Sequence, residues 1–141
     1  MKRTASAVWH GNLKKGKGIL STESTVLNQT AYSFSTRFEN GIGTNPEELI
    51  AAAHAGCFTM ALSAALEQAG FTADTLTTTA AVYLENHPQT SWTVTRIHLD
   101  TLATVPGIPA EKFAEVAAAA KANCPISRLL KAEISLDAKL A

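Results

Sequence analysis

The chain has 141 residues, 46% hydrophobic and 17% charged, with twelve Lys and Arg against twelve Asp and Glu. That length and composition suit one globular domain, 1–141, with a real core. Zero net charge without blocks of like charge leaves no footprint for nucleic acid, and no run of eighteen apolar residues argues for a membrane span.

The start, Met1-Lys2-Arg3, is basic but no apolar segment follows it, so no secretory signal is expected and the cytoplasm is the expected location. Thiols are kept reduced there, and a disulfide is more often catalytic than structural. Ala7 to His10 reads as a short strand. Lys15-Gly16-Lys17-Gly18 is a turn signal, and Gly18 to Ser24 and Tyr32 to Phe38 are further strand candidates. In the last of these Tyr32, Phe34 and Phe38 alternate with Ser33 and Ser35, while Arg37 does not keep the alternation strictly.

Gly41-Ile42-Gly43-Thr44 ends that segment, and a helix follows. Asn45 suits the N-cap, Pro46 the first helical position, and Glu47 and Glu48 the positive end. Gly70 is a natural C′ residue. The run Pro46 to Ala69 would be about 36 Å long. Ile50, Ala53, Cys57, Met60, Ala61 and Ala64 recur at three- and four-residue steps and are expected to share the buried face. A helix apolar nearly all round needs cover on most sides, more than a monomer of this size can give, so a dimer is expected.

Asp74 to Glu85 and Ser91 to Leu102, rich in Thr, Val and Ile, read as a hairpin with a longer loop at Asn86 to Thr90. Pro106 to Pro109 ends the sheet. Ala110 to Ala122 is helical, with Phe113, Val116, Ala117 and Ala120 on one side. A short helix, Pro125 to Lys131, and a last strand, Glu133 to Leu140, complete the chain. This order argues α+β, not a doubly wound sheet.

Cys57 and Cys124 are the only thiols. A thiol reacts as its thiolate. Cys124 precedes Pro125 at the start of a helix, whose positive end favours the thiolate. Cys57 is the twelfth residue of its helix, beyond the reach of the dipole, and burial raises its pKa. A reactive Cys57 therefore needs a cation. Of Arg3, Arg37, Arg96 and Arg128, Arg37 is best placed, between Phe34 and Phe38 just before the helix. A buried guanidinium in turn needs a carboxylate, and Glu47 and Glu48 are nearest in sequence. Glu47 lies about 15 Å before Cys57 on a continuous helix. Either the helix breaks near Gly56 or the site is shared between two subunits, and the second arrangement is favoured.

The stretch Thr44-Asn45-Pro46-Glu47-Glu48-Leu49-Ile50 through Ala55-Gly56-Cys57-Phe58 closely resembles the osmotically inducible protein C family. Lys17-Gly18, Ser21-Thr22-Glu23-Ser24 and Asn123-Cys124-Pro125-Ile126-Ser127 carry the same resemblance. This is the OsmC/Ohr group of thiol-dependent hydroperoxide reductases, and Thr36-Arg37-Phe38-Glu39 points to the OsmC branch. The resemblance implies an intertwined α+β homodimer, with antiparallel sheets wrapped around long central helices and active sites at the interface. It implies that Cys57 is the peroxidatic and Cys124 the resolving cysteine. Arg37 would stabilise the thiolate and Glu47 would position Arg37. No bound cofactor is implied. The substrate would be an organic hydroperoxide, with hydrogen peroxide a poorer one. The reductant would be an external dithiol, a lipoylated protein or dihydrolipoamide. Phe38, Ile50, Phe58 and Met60 would favour organic peroxides. Gly56 stands where relatives often have alanine.

Two other readings stay open. Cysteine is often a plain buried hydrophobe, which would leave a non-catalytic dimeric protein that binds small molecules. His54, three residues before Cys57, permits a Cys-His hydrolase. A zinc site is not expected, since the cysteines lack His partners at ligand spacing.

Overall fold

The computed structural model of the chain describes residues 1–141, in the order β-β-β-α-α-β-β-α-α-β. Two compact units divide it, residues 1–49 and 50–141.

In the first unit β1 (Ala5–His10), β2 (Lys17–Thr22) and β3 (Thr30–Ser33) form an antiparallel sheet. Gly18 pairs with Trp9 on one side and Tyr32 on the other. Those two rings close over it, with centroids 5.3 Å apart. A Cβ at Gly18 would overlap both rings, so the missing side chain is what lets them meet.

The strand expected to continue to Phe38 stops at Ser33. Phe34–Phe38 is a short helix, α1. Ser33 caps it reciprocally with Thr36: the Thr36 N–H donates to Ser33 Oγ at 3.2 Å, and the Ser33 N–H donates to Thr36 Oγ1 at 2.8 Å. The helical step brings Phe34 and Phe38 together at 4.8 Å between centroids. The aromatic spacing therefore has a helical origin, and Arg37 sits in the last turn of a helix, not on a strand.

The helix α2 (Pro46–Gln68) begins as expected. Asn45 Oδ1 accepts from the Glu48 N–H at 2.8 Å. Its far end is a Schellman motif. Gly70 has φ +87°, the Gly70 N–H donates to the Glu67 carbonyl, and the Phe71 N–H donates to the Leu66 carbonyl. The helix runs unbroken through Gly56.

The buried face of α2 differs from the expected one. His54, Phe58, Leu62 and Leu66, at strict four-residue steps, face inward, while Ala53, Met60 and Ala64 are exposed. Phe58, Leu62 and Leu66 fill the core, and the side left outside carries alanines together with the large Met60. By length and composition α2 is apolar enough to cross a membrane, although only 22% of its most apolar stretch is buried within the chain. The sequence lacks an uninterrupted apolar run, but the average along the helix is high.

In the second unit β4 (Thr75–His87) and β5 (Ser91–Thr104) form the hairpin, with three residues in the loop rather than five. A bulge lies between Tyr83 and Leu84. β6 (Glu133–Leu140) adds to β5 in parallel. This is possible because α3 (Ala110–Asn123) and α4 (Pro125–Leu129) carry the chain back across the sheet. Ile97, Leu99, Thr101 and Ala103 alternate inward along β5. Leu99 and Ala103 join Phe58, Leu62 and Leu66 of α2 and Phe113, Val116, Ala117 and Ala120 of α3 in one core. The inward face of α3 is the one the sequence indicates.

Candidate active site

Two groups of the expected residues are brought together, one in each unit. In the second unit, the end of α3 hands Cys124 directly to the start of α4, where it is N-cap to Pro125. Cys124 is fully buried and belongs to the core cluster. Cys57, half-buried on α2, faces it, and both are free thiols with Sγ atoms 3.1 Å apart. That is only about 1 Å longer than a disulfide bond.

The surroundings of the two sulfurs differ. Burial and the hydrogen bond with Cys124 push the Cys57 thiol up, against a smaller pull from the Ile126 N–H. Burial acts in the same way on Cys124, but hydrogen bonds from the Ser127 N–H, from Cys57, from the Ser127 hydroxyl and from the Ile126 N–H outweigh it and bring that thiol down. The amides of α4 do this without a capping bond of full geometry. Within one chain Cys124 is therefore the more acidic sulfur, as its position at a helix start suggests.

His54 lies in the same cluster. Its imidazole is fully buried. Nε2 is 2.8 Å from Ser127 Oγ, and Nδ1 has no partner. Burial lowers its pKa, which keeps the ring neutral near neutral pH. The ring is turned to Ser127, not to Cys57, so the arrangement a Cys-His hydrolase needs is not formed. Ser127 belongs to the Cys124 motif but has no expected role in it. Its signal was the i, i+3 relation to Cys124 at a helix start.

In the first unit, Arg37 and Glu47 form a two-pronged ion pair: Nη2 to Oε1 is 2.7 Å and Nε to Oε2 is 3.1 Å. Two flanking contacts hold it in place. Asn45 Nδ2 donates to the Thr36 carbonyl at 3.2 Å, and Thr44 Oγ1 donates to Glu48 Oε2 at 2.9 Å. These tie the end of α1 to the start of α2. Glu48, the other carboxylate considered, is thus engaged with Thr44. The guanidinium also lies 5.3 Å from the Phe38 ring centroid. It opens onto a cleft of about 300 Å³ lined by Trp9, Leu13, Tyr32, Phe34 and Phe38. Trp9, Leu13 and Tyr32 are not among the residues expected to face substrate. Of the residues expected to face substrate, Phe38 lines this cleft, but Phe58 points into the core and Met60 is 76% exposed. No group of three or more His, Cys, Asp and Glu side chains is assembled that could hold a metal.

Residues 39–139 match the family model described as OsmC-like protein. The chain is 52% identical over 138 residues to Peroxiredoxin OsmC of Escherichia coli, covering 98% of this chain and 96% of the relative. Among solved structures it is similar to an OsmC-like protein of unknown function from Vibrio cholerae. That match has TM-score 0.77 and 13% identity, and covers 99% of both chains. It is also similar to the organic hydroperoxide resistance protein OhrB of Bacillus subtilis, with TM-score 0.69 and 22% identity over 98% of each. At those identities the two structures speak for the fold, and the family match and the nearly full-length relative settle the rest: the chain belongs to the OsmC-like protein family.

Proposed function

We propose that the protein is a thiol-dependent peroxidase that reduces organic hydroperoxides, with Cys57 as the attacking and Cys124 as the resolving thiol. The observation that carries this is the pair of free sulfurs 3.1 Å apart, one half-exposed and one buried behind it. Attack from the more exposed sulfur lets a peroxide reach it, and resolution by the buried one needs no large movement. The name and near-complete match of the Escherichia coli relative support the same chemistry.

In the first step the Cys57 thiolate forms a bond to the distal peroxide oxygen. The O–O bond breaks, and the alkoxide takes a proton and leaves as an alcohol. Cys57 is then a sulfenic acid. The Cys124 sulfur attacks it, the S–S bond forms and the S–O bond breaks, and the oxygen leaves as water. An external dithiol reopens the disulfide by two exchanges. We take this reductant to be a lipoylated protein or dihydrolipoamide, whose two thiols close into a ring after exchange.

Cys57 is not the more acidic thiol within one chain, so the attacking thiolate needs a cation. Arg37 supplies it, held by Glu47. Because Glu47 precedes Cys57 by ten residues on one unbroken helix, we assign the Arg37–Glu47 pair of one subunit to Cys57 of the other. The functional unit is thus a homodimer in which residues 1–141 of each copy work as one domain, placed in the cytoplasm where dithiol reductants are available. The aromatic cleft beside Arg37 suits an alkyl or aryl peroxide tail and offers hydrogen peroxide little to bind.

Stopped-flow consumption of cumene hydroperoxide tests this reading. The reduced protein turns over with dithiol. Cys57→Ser consumes no peroxide. Cys124→Ser completes the first oxidation but forms no intramolecular disulfide. Peroxide left untouched by the reduced protein overturns the proposal, and a Cys57→Ser protein that still consumes peroxide at the full rate removes Cys57 from the role of attacking thiol.

A further inference from the structure

The peroxidase reading leaves the buried His54–Ser127 pair without a role. A neutral imidazole has one donor and one acceptor, and a serine hydroxyl has a single proton and two lone pairs. The partners of these atoms fix where the protons lie. His54 Nδ1 is buried with no partner. A buried N–H without an acceptor is rarer and less tolerable than a bare lone pair. The imidazole proton therefore sits on Nε2, which donates to Ser127 Oγ across 2.8 Å. That bond occupies a serine lone pair and leaves the hydroxyl proton to be given elsewhere. Ser127 is the third residue of the helix that Cys124 caps, which places its hydroxyl on the same first turn as the Cys124 sulfur, and Cys124 in turn faces Cys57 at 3.1 Å.

We propose that His54 is a positioning residue for Cys124: by donating to Ser127 Oγ it directs the Ser127 proton onto the Cys124 sulfur and so readies that sulfur to attack oxidised Cys57. The proposal rests on Cys124 being the resolving thiol. In the step concerned, the Cys124–Cys57 S–S bond forms as the Cys57 S–O bond breaks. The hydroxide leaves as water with the proton that Cys124 gives up. Cys124 is oxidised as the sulfenic sulfur is reduced, so no outside redox partner enters. While charge builds on Cys124, the Ser127 hydroxyl is already aligned with it. A single helix, α2, carries both the sulfur to be attacked and the histidine that prepares the attacker, one turn apart.

The titratable group touching the Cys124 sulfur is Cys57 of α2, and His54 acts on it through Ser127. On its own segment Lys121 is turned to the Ile134 carbonyl and Arg128 is exposed. The residues that β5 and the following loop contribute to the core cluster containing Cys124, Leu99, Ala103, Val105 and Ile108, are apolar.

The test titrates Cys124 by ultraviolet thiolate absorbance in the full-length Cys57→Ser protein, alone and with His54→Leu, His54→Gln or Ser127→Ala. Loss of one hydrogen bond to the sulfur lowers the thiolate-to-thiol ratio at a given pH about three- to tenfold. His54→Leu and Ser127→Ala are both expected to raise the midpoint. His54→Gln, which places an N–H near the Nε2 position, restores most of it. With Cys57 present, rapid-quench trapping by dimedone shows the sulfenic acid lasting longer in His54→Leu and Ser127→Ala. A midpoint unmoved in folded Ser127→Ala overturns the inference, as does a His54→Gln midpoint displaced as far as that of His54→Leu. If the unsubstituted protein consumes no peroxide, the peroxidase reading fails and takes the inference with it. If it consumes peroxide and the titration does not move, the inference alone fails.

Discussion

At Cys124 a sulfur occupies the helix-cap position where an oxygen side chain is commonest, and the local sequence alone gives it the lower pKa of the two thiols. The roles of its neighbours were not legible in this way. The need of a guanidinium for a carboxylate led from Arg37 to Glu47 or Glu48, and the family resemblance, not charge, chose Glu47. Nothing local marks the pairing of Ser127 with His54 or of Trp9 with Tyr32, because those partners lie 73 and 23 residues away. His54 gives a prediction at this scale. Its folded pKa is depressed by burial, so below about 6.5 the unfolded chain binds a proton that the folded chain refuses. Stability from this residue is therefore present above about pH 6.5 and lost as pH falls towards the depressed folded value. Urea unfolding across that range is expected to show the loss, and His54→Gln to flatten it.

Among the elements, α1 shows how a pattern can mislead. Tyr32, Phe34 and Phe38 against serines look like a strand, yet Phe34 and Phe38 are also four apart, and Ser33 with Thr36 forms a capping box. The cap decides, because it satisfies backbone groups that a strand edge there would leave open. The helix α2 was legible in its ends, through Asn45 and Gly70, but not in its rotation, because alanines mark no face strongly. Its glycine and that of β2 make opposite predictions. A Cβ at Gly56 meets nothing within 4 Å, so Gly56→Ala is expected to stabilise the protein by about 0.5–1 kcal/mol. Gly18→Ala is expected to cost about 1–3 kcal/mol, because the Trp9 and Tyr32 rings must separate. Denaturant midpoints of the two variants check both signs.

For the whole molecule, the uneven burial is the leading fact. Every large apolar side chain that is fully buried lies in residues 50–141. In residues 1–49 the buried positions are Gly16, Gly18, Thr36 and Thr44. A three-stranded sheet needs a packed face to be stable, and the outer face of α2 presents Met60 at 76% exposure. The proposed homodimer would cover both surfaces. Light scattering is expected to give twice 14.9 kDa, and Met60→Glu, which puts a charge on that face, is expected to shift the mass towards one chain. A single-chain mass for the unsubstituted protein would refute the dimer. The sequence by itself determined the α+β order, the ends of α2, the inner face of α3 and the last strand, because caps, turn residues and periodicity act within a few residues. Only the tertiary structure decided that α1 is helical, which stripe of α2 is buried, and that Cys57, Cys124, Ser127 and His54 meet in one cluster. Those outcomes depend on which distant side chains compete for the same space and the same protons.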